Sequence, residues 1–164
     1  MSEVKIIENC LSKKNFNSIK ETIYSEYFPW YLSSGVSYKN DGNIQLTHTF
    51  YIDYRVTSVS FDELESIIKI LNPLSLIRIK CNLLLKTDKI IEHGFHIDQQ
   101  YQSKTAILYL NTNNGYTKFE DGTKILSEEN KLVIFDNFLK HTGTTCTDKR
   151  ERIVINFNYI EKNN

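Results

Sequence analysis

Proline and glycine are scarce, two and six residues in a chain of 164. No Pro/Gly/Ser-rich stretch divides the chain and no internal repeat is present, so residues 1–164 are read as one domain. A domain near this length buries roughly 70% of its unfolded surface, enough for a core without staples. Cysteine is sparse too. Cys10, Cys81 and Cys146 are an odd number and widely scattered, which excludes a disulfide framework and zinc-finger spacing. Free thiols in a reducing compartment are expected. Neither sign of charge is in excess, with 20 basic and 20 acidic residues and no Lys/Arg block. Gripping a phosphate backbone takes clustered positive charge, so no nucleic-acid partner is indicated, although a nucleic-acid substrate stays open. Long apolar runs are missing as well. No window approaches the ~20 apolar residues that span a bilayer. The opening Met1-Ser-Glu-Val-Lys reaches Glu8 and Asn9 without a signal-peptide core. A soluble cytoplasmic protein with no membrane partner is expected; the pattern carries no mark of oligomeric state.

What is present changes character along the chain. Leu11, Phe16, Ile19, Ile23 and Tyr27 recur at approximately helical spacing over residues 10–27, with Pro29-Trp30 beyond to end the helix. A second helix is expected from a capping box, Ser60 with Glu63. Its apolar stripe is Phe61, Leu64, Ile67, Ile68 and Leu71, up to Pro73. The first 73 residues thus read as helical or irregular support. From Ile77 the period becomes two. Strands are expected at 79–85, 94–98, 105–111, 132–135 and 152–159, with turns at Asn113-Asn114-Gly115 and Asp121-Gly122. Gly115 is expected to supply a positive φ. Helices followed by closely spaced strands point to a mainly β domain, a sandwich or barrel over about 77–160 buttressed by helices.

Two strands carry a polar face. Arg152, Val154, Asn156 and Asn158 alternate with Ile153, Ile155, Phe157 and Tyr159, and Arg78, Lys80 and Asn82 alternate with Ile79, Cys81 and Leu83. Such a face is ordinarily solvated. A polar lumen around an active site is the other reading, and periodicity does not choose between them.

The segment Glu92-His-Gly-Phe-His-Ile-Asp98 carries the chemistry. In extended chain, residues two apart point the same way, so His96 and Asp98 share a face. A second histidine from elsewhere would complete a two-histidine, one-carboxylate face on a metal, the arrangement of non-haem iron(II) oxygenases. His141, in Phe138-Leu-Lys-His-Thr-Gly143, is the best placed. Arg152 follows at the head of an apolar-backed strand, and a guanidinium suits bidentate contact with a carboxylate. An inward arginine implies an anion beside it. Arg150 shares its parity, so the choice between them rests on Arg152 bordering the apolar-backed strand.

These residues resemble the 2-oxoglutarate/iron(II) dioxygenases, especially their compact prolyl-hydroxylase-like branch. The resemblance covers roughly residues 78–159. It takes in the block ending at Asp98, then Ala106-Ile-Leu-Tyr-Leu-Asn111, Gly115-Tyr-Thr-Lys-Phe119, Lys131-Leu-Val-Ile-Phe135, His141 and Arg152-Ile-Val-Ile-Asn-Phe-Asn158. It implies a double-stranded β-helix, or jelly roll, supported by two helices. It also implies iron ligation by His96, Asp98 and His141, with 2-oxoglutarate as cosubstrate and O2 as oxidant. The distal carboxylate of 2-oxoglutarate would be held by Arg152 and Tyr109, with Asn82 a further contact. Hydroxylation of a small-molecule or peptide substrate follows, with release of succinate and CO2; peptidyl proline or an amino-acid-like molecule is the first guess. Residues 28–58 and the loop 99–104 are expected to form the substrate walls.

Two rivals remain: a non-catalytic jelly-roll protein binding a small carboxylate, and a zinc hydrolase, since the same ligands suit zinc. No carboxylate is obviously poised as the hydrolase's general base. His93, three residues from His96 and so on the other face, reads as a packing histidine, and His48 as structural. The aromatics Tyr27, Phe28, Trp30 and Tyr31 read as core or helix-end packing.

Overall fold

The computed structural model describes residues 4–162. A short strand β1 (Lys5–Ile7) precedes helix α1 (Lys13–Tyr24), whose first turn is capped by the Ser12 hydroxyl accepting from the Asn15 amide. The helix stops at Ser25, short of Pro29, and buries Phe16, Ile19 and Ile23. Strands β2 (Tyr31–Ser33), β3 (Gln45–Ile52) and β4 (Arg55–Val56) follow. The expectation that the first 73 residues are helical or irregular is therefore corrected. Four strands lie there, and β3, with its run Thr47-His-Thr-Phe-Tyr, joins the main sheet beside the long central strand.

The second helix is a 3-10 turn (Phe61–Leu64) leading into α2 (Glu65–Leu71). No capping box forms. The Ser60 side chain makes no cap hydrogen bond, and Glu63 turns instead to accept from the Ser18 hydroxyl on α1 at 2.7 Å. Asn72 ends α2 in the left-handed conformation at φ 43, and Pro73, which cannot continue a helix, starts the next strand.

Seven strands complete the chain: β5 (Pro73–Leu85), β6 (Lys104–Tyr109), β7 (Tyr116–Phe119), β8 (Lys124–Leu126), β9 (Leu132–Asp136), β10 (His141–Gly143) and β11 (Glu151–Glu161). Eight of the eleven strands among the described residues form an antiparallel sheet in the order β1-β9-β6-β11-β5-β3-β2, with β4 on β3. A three-stranded sheet, β10-β7-β8, faces it. The architecture is the expected mainly β jelly roll with two supporting helices. The expected strand at 94–98 is not one. Glu92 bridges Thr144 and His96 bridges His141 as isolated pairs. Four chain steps on one side face three on the other, so no continuous ladder forms between them.

Two apolar clusters hold the sheets in place. On the outer face of the large sheet, α1, the 3-10 turn and α2 press Phe16, Ile19, Ile23, Leu64 and Ile67 onto Ile79, Cys81, Leu108, Ile155 and Phe157. Between the sheets, Ile107, Tyr109, Val133, Phe135 and Val154 meet Phe119 and Ile125 of the small sheet. Each buried aliphatic or aromatic side chain contributes roughly 1.5–3 kcal/mol on area grounds. The outer cluster takes the apolar parity of β5 over residues 79–83 and of β11 over residues 153–159. The polar parity is thereby forced inward, between the sheets, where it lines a cavity and is not solvated as such faces ordinarily are.

Candidate metal centre

The three residues expected to ligate a metal come together. One donor atom from each of His96, Asp98 and His141 lies within 4.8 Å of the others. His96 and His141 exchange both backbone hydrogen bonds, at 3.0 and 3.1 Å, which places their rings side by side with centroids 4.8 Å apart. Each ring's Nδ1 faces a backbone carbonyl: Gly94 for His96 and Leu139 for His141, both at 3.1 Å. Donation from Nδ1 leaves the lone pair on Nε2, the form a metal takes. The His96 Nε2 is 3.8 Å from the Asp98 carboxylate.

The Asp98 side chain is 5% exposed and held from three sides. Arg78 donates to Oδ1 at 3.2 Å, while Asn158 and Thr105 donate to Oδ2 at 3.0 and 3.3 Å. Burial opposes its ionisation, but the charges of His141 and Arg78 and the Asn158 hydrogen bond outweigh it and hold the carboxyl below its ordinary value. Burial, only partly countered by Asp98, lowers His141 below the usual imidazole range. An ionised carboxylate beside a neutral imidazole is the protonation state metal ligation requires. The donor set, two imidazoles and one carboxylate on one face, fits a ferrous ion.

A cavity of about 260 Å³ opens beside these side chains. Arg152 reaches into it, 3% exposed, with Nε donating to the Ser127 hydroxyl at 2.7 Å and a terminal nitrogen to the Thr117 hydroxyl at 3.2 Å. It has no carboxylate partner among the described residues, and a buried charge left so is unfavourable by several kcal/mol. Arg150, by contrast, is 96% exposed at its side chain and lies 3.7 Å from the Glu151 carboxylate. On the small sheet, Thr117 pairs with Gly143 and Phe119 with His141. The threonine that holds the guanidinium is therefore two residues, roughly 7 Å, along the strand from the position paired with the histidine.

The remaining expectations divide. Asn82 lines the cavity, and its buried Oδ1 has no hydrogen-bond partner. Tyr109 is fully buried and does not reach the cavity. Its hydroxyl donates to Thr117 at 2.7 Å, so Thr117 stands between it and the lumen, while its ring lies under Arg152 with 5.5 Å from centroid to guanidinium. Of the expected walls, Val36, Ser37 and Gln45 line the cavity, but the loop 99–104 does not. Gly115 has no positive φ. It is small because Arg152 passes over it: a Cβ there would lie 2.6 Å from the arginine Cδ. His93 is buried with both ring nitrogens unbonded, and His48 is tied to the Pro29 carbonyl and the Ser58 hydroxyl, both at 2.7 Å. Arg78, Asn158, Thr105, Thr117 and Ser127 received no role from the sequence. The parity of β5 and β11 had put Arg78 and Asn158 on the polar face, but only the register, Arg78 opposite Asn158, brings them to one carboxylate.

No protein-family model matches the chain, and no curated protein sequence matches it. Solved structures match over almost its whole length. One is an oxidoreductase of the 2OG-Fe(II) oxygenase family from Burkholderia pseudomallei, 13% identical, with TM-score 0.70 over 98% of this chain and 86% of its own. Another is the viral collagen prolyl hydroxylase vCPH from Paramecium bursaria Chlorella virus-1 in its 2OG complex, 15% identical, TM-score 0.60, over 97% of this chain and 96% of its own. A third is the non-heme alpha ketoglutarate dependent epimerase SnoN from nogalamycin biosynthesis, 9% identical, TM-score 0.69, over 98% and 79% respectively. The likeness is one of fold. Among the described residues no helix is long and apolar enough to cross a membrane.

Proposed function

We propose that this chain is an iron(II)- and 2-oxoglutarate-dependent dioxygenase, with His96, Asp98 and His141 as the metal ligands. The observation that carries the reading is a juxtaposition. Three donors suited to iron lie about two strand residues along from a buried guanidinium that has no carboxylate partner among the described residues. A five-carbon diacid answers both, with its ketoacid end at the metal and its distal carboxylate on Arg152. The fold shared with 2-oxoglutarate-dependent enzymes supports the same assignment.

Iron, 2-oxoglutarate and O2 together would supply the oxidising power to hydroxylate an unactivated C–H bond, with release of succinate and CO2. The chain's own residues do the rest. The Gly94 and Leu139 carbonyls set which imidazole nitrogen faces the metal. Arg78, Asn158 and Thr105 aim the Asp98 carboxylate and keep it ionised. Ser127 and Thr117 orient the Arg152 fork, with Tyr109 steadying Thr117 from behind; Asn82 offers a further polar contact. A carboxylate ligand at position 98 suits hydroxylation, since halogenation would need that position left open for halide. The substrate class proposed with this reading is a peptidyl proline or an amino-acid-like molecule.

Succinate formation and oxygen uptake with Fe(II) and 2-oxoglutarate test the reading. The wild type should turn over 2-oxoglutarate and Asp98→Ala should not. Full activity in that variant would overturn the ligand assignment.

A further inference from the structure

One charged group in the cavity has no task in this scheme. Lys80 sits on the lumen face of β5, between Arg78 and Asn82, in register with Asn156 of β11 and Thr49 of β3. It lines the main cavity with Val36, Ser37 and Gln45, on the side away from β6 and β9. Its ammonium makes no salt bridge and no side-chain hydrogen bond among the described residues, whereas its neighbour Arg78 is paired with Asp98. Burial, then the nearby Arg78 charge, push Lys80 down to about 8, with Asp98 acting the other way; at neutral pH it is still a cation. Opposite it, the buried Oδ1 of Asn156 has no donor. A cation in a cavity with no anion beside it is unfavourable until a ligand supplies one, and the bare Asn156 oxygen next to it accepts an N–H from the same ligand.

Resting on the oxygenase reading, we infer that the primary substrate bears a free carboxylate that seats on Lys80, with an adjacent N–H donating to Asn156. The substrate class is then a free amino acid or the C-terminal residue of a peptide, and not an internal residue of a polypeptide, which has no carboxylate there. Arg78 is already neutralised by Asp98, and the cosubstrate takes Arg152, so one carboxylate matches the one cation left over. Gly35 and the loop around it, braced by Asp41 accepting from the Val36, Ser37 and Tyr38 amides, form the adjoining wall.

The test is anaerobic calorimetry on the Fe(II)- and 2-oxoglutarate-saturated protein, titrated with the proteinogenic amino acids, with short peptides ending in each of them, and with the C-terminal primary amides of both. At least one acid should bind about tenfold or more tighter than its amide. Lys80→Met, which keeps length and apolar packing, should erase that margin while leaving 2-oxoglutarate affinity unchanged. Lys80→Arg should retain most of it. The inference is overturned if no acid outbinds its amide in the wild type, whether both bind or neither does. Equally, it fails if Lys80→Met keeps the margin, or if that variant loses 2-oxoglutarate, which would assign Lys80 to the cosubstrate. Failure of the oxygenase reading itself is distinct: the wild type would then not take up 2-oxoglutarate before any amino acid is added.

Discussion

Gly115 and Arg152 occupy one space between them: the arginine's Cδ lies 2.6 Å from where a Cβ on residue 115 would be. The same hypothetical carbon would meet the Asn113 side-chain oxygen and the Thr145 carbonyl, each at 2.8 Å. The backbone carbonyl cannot swing away as a flexible side chain can, so the arginine must yield. Gly115→Ala should therefore destabilise the fold by about 1–3 kcal/mol through overpacking and weaken 2-oxoglutarate binding with little change in metal affinity. Urea denaturation and a cosubstrate titration read the two effects separately. Unchanged 2-oxoglutarate affinity would show that the guanidinium does not depend on this glycine.

The two arginines at the head of β11 should behave oppositely. Arg152→Leu removes a buried charge that meets an anionic ligand, a loss of about 2–5 kcal/mol and so at least about 30-fold in 2-oxoglutarate affinity. Arg150→Ala touches an exposed side chain and should leave that affinity within about twofold. Comparable losses in both variants would contradict the assignment.

Arg78 acts on the metal through Asp98. Arg78→Met should lower affinity for Fe(II), or for Mn(II) as a stand-in, by roughly 10–100-fold, the usual effect of removing a group that orients a ligand. Competition against a metal chelator measures it. Arg78→Lys should recover part of the loss, because charge returns without the geometry of the fork.

Acid should destabilise the metal-free protein in two stages. His93 and His141 are lowered by burial from an ordinary value of 6.5, so the unfolded chain takes up protons there before the folded one does. Stability is thus complete above about 6.5 and falls as pH drops toward the lowered values. Asp98, lowered from 3.8, adds stability present above that value and lost as pH falls through its folded one. Denaturant midpoints measured without metal from neutral pH downward should decline through the first window. A flat profile between pH 7 and 5 would contradict the burial of these histidines.

How much of this was readable beforehand follows from what each feature depends on. The triad was legible because His96 and Asp98 are two apart and their alternation survives even though the segment forms only a single bridge. His141 and Arg152 followed from order and spacing. The resemblance singled out Tyr109, yet not its partner, since Thr117 comes from the opposite sheet. Short strands such as β7, β8 and β10, three or four residues each, leave too few alternations to detect. Whether the face of Arg78, Lys80 and Asn82 met water or a lumen was settled by the helices on the other side, which no local pattern records.

The claim on which the account turns is that one metal ion is held by His96, Asp98 and His141 while Arg152 anchors a chelating diacid. Anaerobic addition of Fe(II) and then 2-oxoglutarate, followed optically, tests it most directly. The account predicts a visible metal-to-ligand band in the wild type, absent in His141→Ala and shifted to much higher 2-oxoglutarate concentration in Arg152→Leu. No band in the wild type, or an undiminished one in His141→Ala, would contradict it.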